Sequence, residues 1–137
     1  MKKLALTDFA KYRYPSALEL SPDGRYLTFA LKDVDREGDG YRWNLWLYDL
    51  ERRESRQITQ GDDQRKAVWE DNTHILYKTT EPDEALRARG FEEEWTVYHR
   101  LNVCTGEDRE AFRLPMSVSG LWKMDEGRYV FTGETHL

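Results

Sequence analysis

The chain has 137 residues, 39% of them hydrophobic and 34% charged, with 13% aromatic: enough apolar material for one small core and too much for a disordered chain. Its net charge of −5 is spread over interspersed acids and bases, without the basic stripe that marks a nucleic-acid or anionic-membrane binder, so neither partner is expected. No segment approaches the ~20 apolar residues of a membrane span, and the single Cys104 cannot close an internal disulfide.

The start, Met1-Lys2-Lys3-Leu4-Ala5-Leu6, has the basic head of a secretion signal. Asp8, Lys11 and Arg13 break the apolar run well short of the ~7 to 15 residues such a signal needs, so export is not indicated and a cytoplasmic location is expected. Residues Thr7 to Pro15 predict a short capped helix: Thr7 is the N-cap, and Pro15 drives its predecessor out of helical space. This 1–15 segment is expected to cover a rim or to pack beside the first strand.

Next comes a strand–turn–strand idiom: Leu18-Glu19-Leu20, Ser21-Pro22-Asp23-Gly24, then Arg25-Tyr26-Leu27-Thr28-Phe29-Ala30. Ser, Pro, Asp and Gly in that order suit a type I turn with a left-handed exit. Pro22 presets φ, Asp23 bonds nearby amides, and Gly24 accepts positive φ without a Cβ clash. Two further strands, Asn44 to Leu50 and Arg56 to Thr59, are joined by the polar turn Glu51-Arg52-Arg53-Glu54 and complete a first unit over residues 16–63.

The idiom returns in residues 64–117. Ala67-Val68-Trp69, the turn Glu70-Asp71-Asn72 and Thr73 to Tyr77 are followed by a third strand from Trp95 to Val103 and a fourth from Glu110 to Leu114. Asn72 is expected to take the left-handed role of Gly24. A third copy opens in residues 118–137 with Leu121-Trp122-Lys123, Met124-Asp125-Glu126-Gly127 and Arg128 to Phe131. Gly24 and Asn72 lie 48 positions apart, Asn72 and Gly127 55, and Asp49 and Asn102, in the third strands, 53. Spacings of this size suit four-stranded propeller blades. The expected fold is all-β: a partial β-propeller of about two and a half antiparallel four-stranded blades, with a short N-terminal helix.

Trp46, Trp69, Trp95 and Trp122 fall at strand positions and are read as core mass between blades; stacking on a carbohydrate or a base is the sharper alternative. Catalytic motifs are absent: no Gly-x-Ser-x-Gly elbow, His-Glu-x-x-His, paired-cysteine spacing or glycine-rich phosphate loop. Neither a catalytic residue, a metal nor a cofactor is therefore assigned. His74 and His99 sit in predicted strands as packed or edge residues, His136 near the chain end, and none lies in an evident serine or carboxylate constellation.

Glu92-Glu93-Glu94, beside Trp95, ends a charged, partly helical connection running from Glu81 to Glu94. Adjacent carboxylates repel by a few tenths of a kcal/mol per exposed pair. The plain reading is a solvated loop. The sharper one makes Glu93 and Glu94 substrate-binding residues that capture a peptide's free amine through charge-assisted hydrogen bonds.

The run from Thr7 to Thr59, with Pro15-Ser16-Ala17-Leu18-Glu19-Leu20-Ser21-Pro22-Asp23-Gly24-Arg25, Asn44-Leu45-Trp46-Leu47-Tyr48-Asp49-Leu50 and Arg56-Gln57-Ile58-Thr59, resembles the opening of a prolyl oligopeptidase family serine peptidase. The acylaminoacyl-peptidase-like and dipeptidyl-peptidase-like branches are nearest. In that family a propeller of roughly seven or eight blades caps a C-terminal α/β-hydrolase domain and admits short peptides. The resemblance implies a noncatalytic fragment that gates and positions short peptide substrates for the hydrolase domain, whose catalytic serine, aspartate and histidine have no counterpart here. The family's amine-binding glutamate pair resembles Glu93 and Glu94 in composition but belongs to a later blade. The Ser-Pro-Asp-Gly signature is shared with TolB-like propellers, which makes a noncatalytic protein-interaction module the alternative. Two units and half of a third cannot close a propeller, so self-association is expected.

Overall fold

A computed structural model of the chain describes residues 15–34, 41–61, 63–90, 94–125 and 128–134. The predicted helix at 7–15, Glu93 and the Gly127 turn lie outside them, apart from Pro15 at the edge. Among the described residues, ten strands and one short helix follow in order: β1 (Ser16–Leu20), β2 (Tyr26–Val34), β3 (Tyr41–Asp49), β4 (Glu54–Gln57), β5 (Val68–Trp69), β6 (His74–Pro82), α1 (Glu84–Arg87), β7 (Glu94–Asn102), β8 (Asp108–Leu114), β9 (Ser117–Asp125) and β10 (Arg128–Glu134). They form three antiparallel sheets, β1-β2-β3-β4, β5-β6-β7-β8 and β9-β10, each pairing strands in chain order. The all-β expectation holds, with sheets of four, four and two strands among the described residues.

The first hairpin turns as its residues dictate. Gly24 N–H donates to Ser21 O at 2.9 Å and Gly24 has φ +76°. Ser21 Oγ donates to Asp23 Oδ1 at 2.7 Å and accepts from Tyr26 N at 3.0 Å. The second copy reaches the same end differently. Asn72 does not adopt positive φ; instead Asp71 Oδ1 accepts from the backbone of Thr73 and His74, both at 2.8 Å, so a side-chain acceptor shapes the turn without a left-handed residue.

The turns after β3 and β7 are the closest match between units. Asp49 Oδ1 accepts from Glu51 N and Arg52 N, and Arg53 N closes on Asp49 O at 2.7 Å. Asn102 Oδ1 accepts from Cys104 N and Thr105 N, and Gly106 N closes on Asn102 O at 2.8 Å. The fifth residue is left-handed in both, Arg53 at φ +58° and Gly106 at +81°. β4 ends two residues before the expected Thr59, yet Ile58 N still donates to Leu45 O, and Leu45 N bonds the Thr59 hydroxyl in place of a ladder carbonyl.

The sheets stack face on face, with β1 beside β5 and β5 beside β9. Between the first two lie Tyr26, Ala30, Leu45, Leu47, Ala67, Trp69, Ile75, Tyr77, Leu101 and Val103. Between the second and third lie Leu76, Tyr98, Val118 and Leu121, with Phe112 and Tyr129 against them. Leu27, Phe29 and Tyr48 form a further cluster on the opposite side of the first sheet. Burial on both faces explains why β2 and β6 read as near-continuous apolar runs. A bulge at Ser119, skipped between the Gly120–Thr132 and Val118–Gly133 pairs, restores phase so that Val118 and Leu121 face the same way.

One tryptophan expectation is overturned. Trp69 is in the core, its ring stacked with Tyr26 at 6.3 Å and its Nε1 donating to Glu19 O at 3.1 Å. Trp46 packs against the outer cluster. Trp95 is half-buried, bonded to Asp83 and flanked by Arg113. Trp122, however, is 49% exposed, because it points to the face of β9–β10 that no described sheet covers.

Candidate functional site

The Glu81–Glu94 connection is partly helical, as expected. Asp83 caps α1 by accepting from Ala85 N and Leu86 N at 3.1 Å, and its second oxygen accepts from Trp95 Nε1 at 3.0 Å. Glu94 is exposed at the first position of β7, opposite Pro82. Arg113, on β8, pairs with Glu81 at 3.4 Å and with Glu110 of its own strand. Glu94 thus offers a solvated carboxylate, while Asp83 is committed to the loop itself.

A constellation that the sequence did not reveal lies on β6, β7 and the start of β8. His99 Nε2 is 3.0 Å from Thr79 Oγ1, and His99 Nδ1 is 3.2 Å from Asp108 Oδ1. The Tyr77 hydroxyl donates to Asp108 Oδ2, and the Tyr77 ring stacks on the imidazole at 5.1 Å. Burial, then the hydrogen bond to Asp108, pushes the Tyr77 phenol above its ordinary range. The β6–β7 register, with Tyr77 opposite His99, and the β7–β8 register, with Leu101 opposite Asp108, together bring these four residues together, and neither register can be read from spacing. Hydroxyl, imidazole and carboxylate occur in the order of a nucleophilic relay. Here the nucleophile position is a β-branched threonine in mid-strand and the carboxylate is shared with a tyrosine, so the group acts as a polar brace for the outer half of the second sheet.

A cleft of about 260 Å³ opens where the β3–β4 and β7–β8 turns meet, lined by Arg25, Tyr26, Asp49, Arg52, Glu54, Arg56 and Cys104 among others. Arg25 sits 3.6 Å from Asp49 and 3.5 Å from Glu51, and the Tyr26 hydroxyl lies 3.5 Å from Cys104 Sγ. Arg56 reaches across to Val103 O, joining the two sheets at this end. Mixed guanidinium and carboxylate lining suits a zwitterion better than a simple anion.

Glu70 organises the seam between the second and third sheets. Its carboxylate accepts from Arg100 Nε and Nη2 and from the Tyr129 hydroxyl, while Lys123 Nζ donates to its backbone carbonyl. Burial opposes its charged form, but the Arg100 and Tyr129 hydrogen bonds outweigh it and hold the carboxyl below its ordinary value. Lys78 Nζ adds a bond to Val118 O at 2.6 Å, and Thr96 Oγ1 bridges Met116 O and Val118 N.

Among the described residues no three His, Cys, Asp or Glu side chains group as a metal site, and no helix is long and apolar enough to cross a membrane. No protein-family model matches the chain, and no curated protein matches it.

Proposed function

We propose that this chain is the leading, noncatalytic portion of a β-propeller that gates and positions short peptides for a serine peptidase of the prolyl oligopeptidase family. One observation carries the propeller part of the reading: successive sheets of chain-order strands stack face on face with their first strands, β1, β5 and β9, side by side, as blades do around an axis. The equivalent turns at Asp49–Arg53 and Asn102–Gly106 support a repeated unit. The peptidase part rests on the residue pattern from Thr7 to Thr59, and Glu93 with Glu94 stays the proposed capture point for a substrate amine.

The reading frame downstream of Leu137 tests this function. Further blades followed by a Gly-x-Ser-x-Gly elbow are expected. A frame that ends, or adds blades without an elbow, overturns the peptidase reading in favour of a TolB-like interaction module. The chain alone should not hydrolyse aminoacyl or acetyl-aminoacyl anilides, and turnover would overturn both.

A further inference from the structure

We infer that the cleft where the β3–β4 and β7–β8 turns meet binds an acidic α-amino acid, a zwitterion with two carboxylates and one ammonium. The inference rests on the charges that line the cleft and not on the peptidase reading. Every lining residue lies between Arg25 and Cys104 and is described, so the cleft is independent of what covers the third sheet. Five of them are charged: Arg25, Asp49, Arg52, Glu54 and Arg56. Two are committed locally. Arg25 sits between Asp49 at 3.6 Å and Glu51 at 3.5 Å, and Asp49 Oδ1 also accepts from Glu51 N and Arg52 N. The other three keep their charge uncompensated. Arg56 Nη2 donates to Val103 O, a neutral acceptor, and the side chains of Arg52 and Glu54 make no hydrogen bond or ion pair with any described residue.

Local structure sets these three charges in order. Glu54 opens β4 opposite Asp49, and Arg56 lies opposite Leu47, which faces the second sheet. Residues opposite each other in a ladder share a face, as do alternate residues of a strand, so Glu54 and Arg56 share the face of Leu47. Arg52, two positions before Glu54, lines the same cleft from the turn. The wall therefore reads positive, negative, positive. An acidic amino acid carries the matching sequence, because its ammonium sits on the carbon between its two carboxylates. A guanidinium takes a carboxylate through paired N–H donors, and Glu54 takes the ammonium through a charge-assisted hydrogen bond. A simple anion leaves Glu54 unmatched, and a neutral amino acid leaves one arginine unmatched. The volume of about 260 Å³ suits a ligand of this size, since drug-sized molecules need about 300 to 1,000 Å³.

Cys104, the single cysteine of the chain, lines this cleft, so its alkylation by N-ethylmaleimide at fixed ionic strength, followed by mass spectrometry, reports occupancy. Glutamate or aspartate should slow the reaction saturably, about tenfold when about nine-tenths of the clefts are filled. Alanine, which lacks the second carboxylate, and glutarate, which lacks the ammonium, should leave the rate unchanged at the same concentrations. Arg52→Gln should abolish the protection. Glu54→Gln should remove the discrimination, so that glutarate protects as well as glutamate. Far-UV circular dichroism checks folding, and the four-ligand comparison on the wild type decides the matter if a variant unfolds. No protection by either acidic amino acid, equal protection by alanine or glutarate in the wild type, or undiminished protection in folded Arg52→Gln overturns the inference.

Discussion

The two seams of this molecule are held by different physics. The seam between the first and second sheets is mainly apolar area, with Leu45 and Ile75 fully buried and Trp69 stacked on Tyr26. The seam between the second and third joins four strands to two. Its smaller apolar cluster is supplemented by Glu70 with Arg100 and Tyr129, by Lys78 and Lys123 on backbone carbonyls, and by Thr96. Where a sheet is too narrow to bury much surface, polar clasps set its position. Apolar contact is nearly indifferent to pH, whereas a clasp that depends on an ionised carboxylate is not.

The largest expected effect lies in the apolar seam. Leu45→Ala and Ile75→Ala should each cost about 2 to 5 kcal/mol in urea unfolding, and a loss below about 1 kcal/mol would mean the seam collapses freely onto the gap. In the polar seam, Glu70→Ala should cost about 1 to 3 kcal/mol, because Arg100 and Tyr129 lose a shared acceptor. Its pH dependence separates the seams. The folded Glu70 carboxyl sits below its ordinary 4.5, so its contribution is complete above that pH and drains away as the pH falls through the folded value. The stability gap between wild type and Glu70→Gln should therefore close in acid, while the gap for Leu45→Ala stays level.

Smaller effects are expected in the turns that precede the seams. Asp71 is held at about 2: burial opposes this, but bonds from Thr73 and His74 prevail, so its contribution should fade between pH 3.8 and about 2, and the stability gap between wild type and Asp71→Asn at the same pH should narrow over that range. Gly24→Ala should cost about 1 kcal/mol from positive φ alone, since a Cβ there meets nothing within 4 Å. Arg53→Gly should raise stability by about 0.5 to 1 kcal/mol, because the equivalent position in the second unit is already glycine; a loss would show that the Arg53 side chain outweighs its backbone strain.

What the residues disclosed in advance was local. Ser21 to Gly24 specify their turn through short-range bonds, and the apolar runs of β2 and β6 announce burial on two faces. The Asp49–Asn102 spacing located equivalent turns. Misreadings arose where the answer depends on what lies across a seam. Trp122 carries the same strand signature as Trp69, and only the absence of a covering sheet among the described residues separates them. Asn72 could have taken positive φ, but the Asp71 carboxylate made that unnecessary. Thr79, His99 and Asp108 meet through cross-strand register, which a one-residue slip would have abolished. Of the glutamate pair, Glu94 lies in the open at a strand start, and Glu93 is outside the described residues.

Every ladder among the described residues joins strands that are neighbours along the chain. Hairpins of this kind close over short loops, so a growing polypeptide can finish one sheet while the next is still inside the ribosome. The same arrangement lets a gene lose or duplicate a unit of roughly fifty codons without breaking any backbone bond in the sheets that remain.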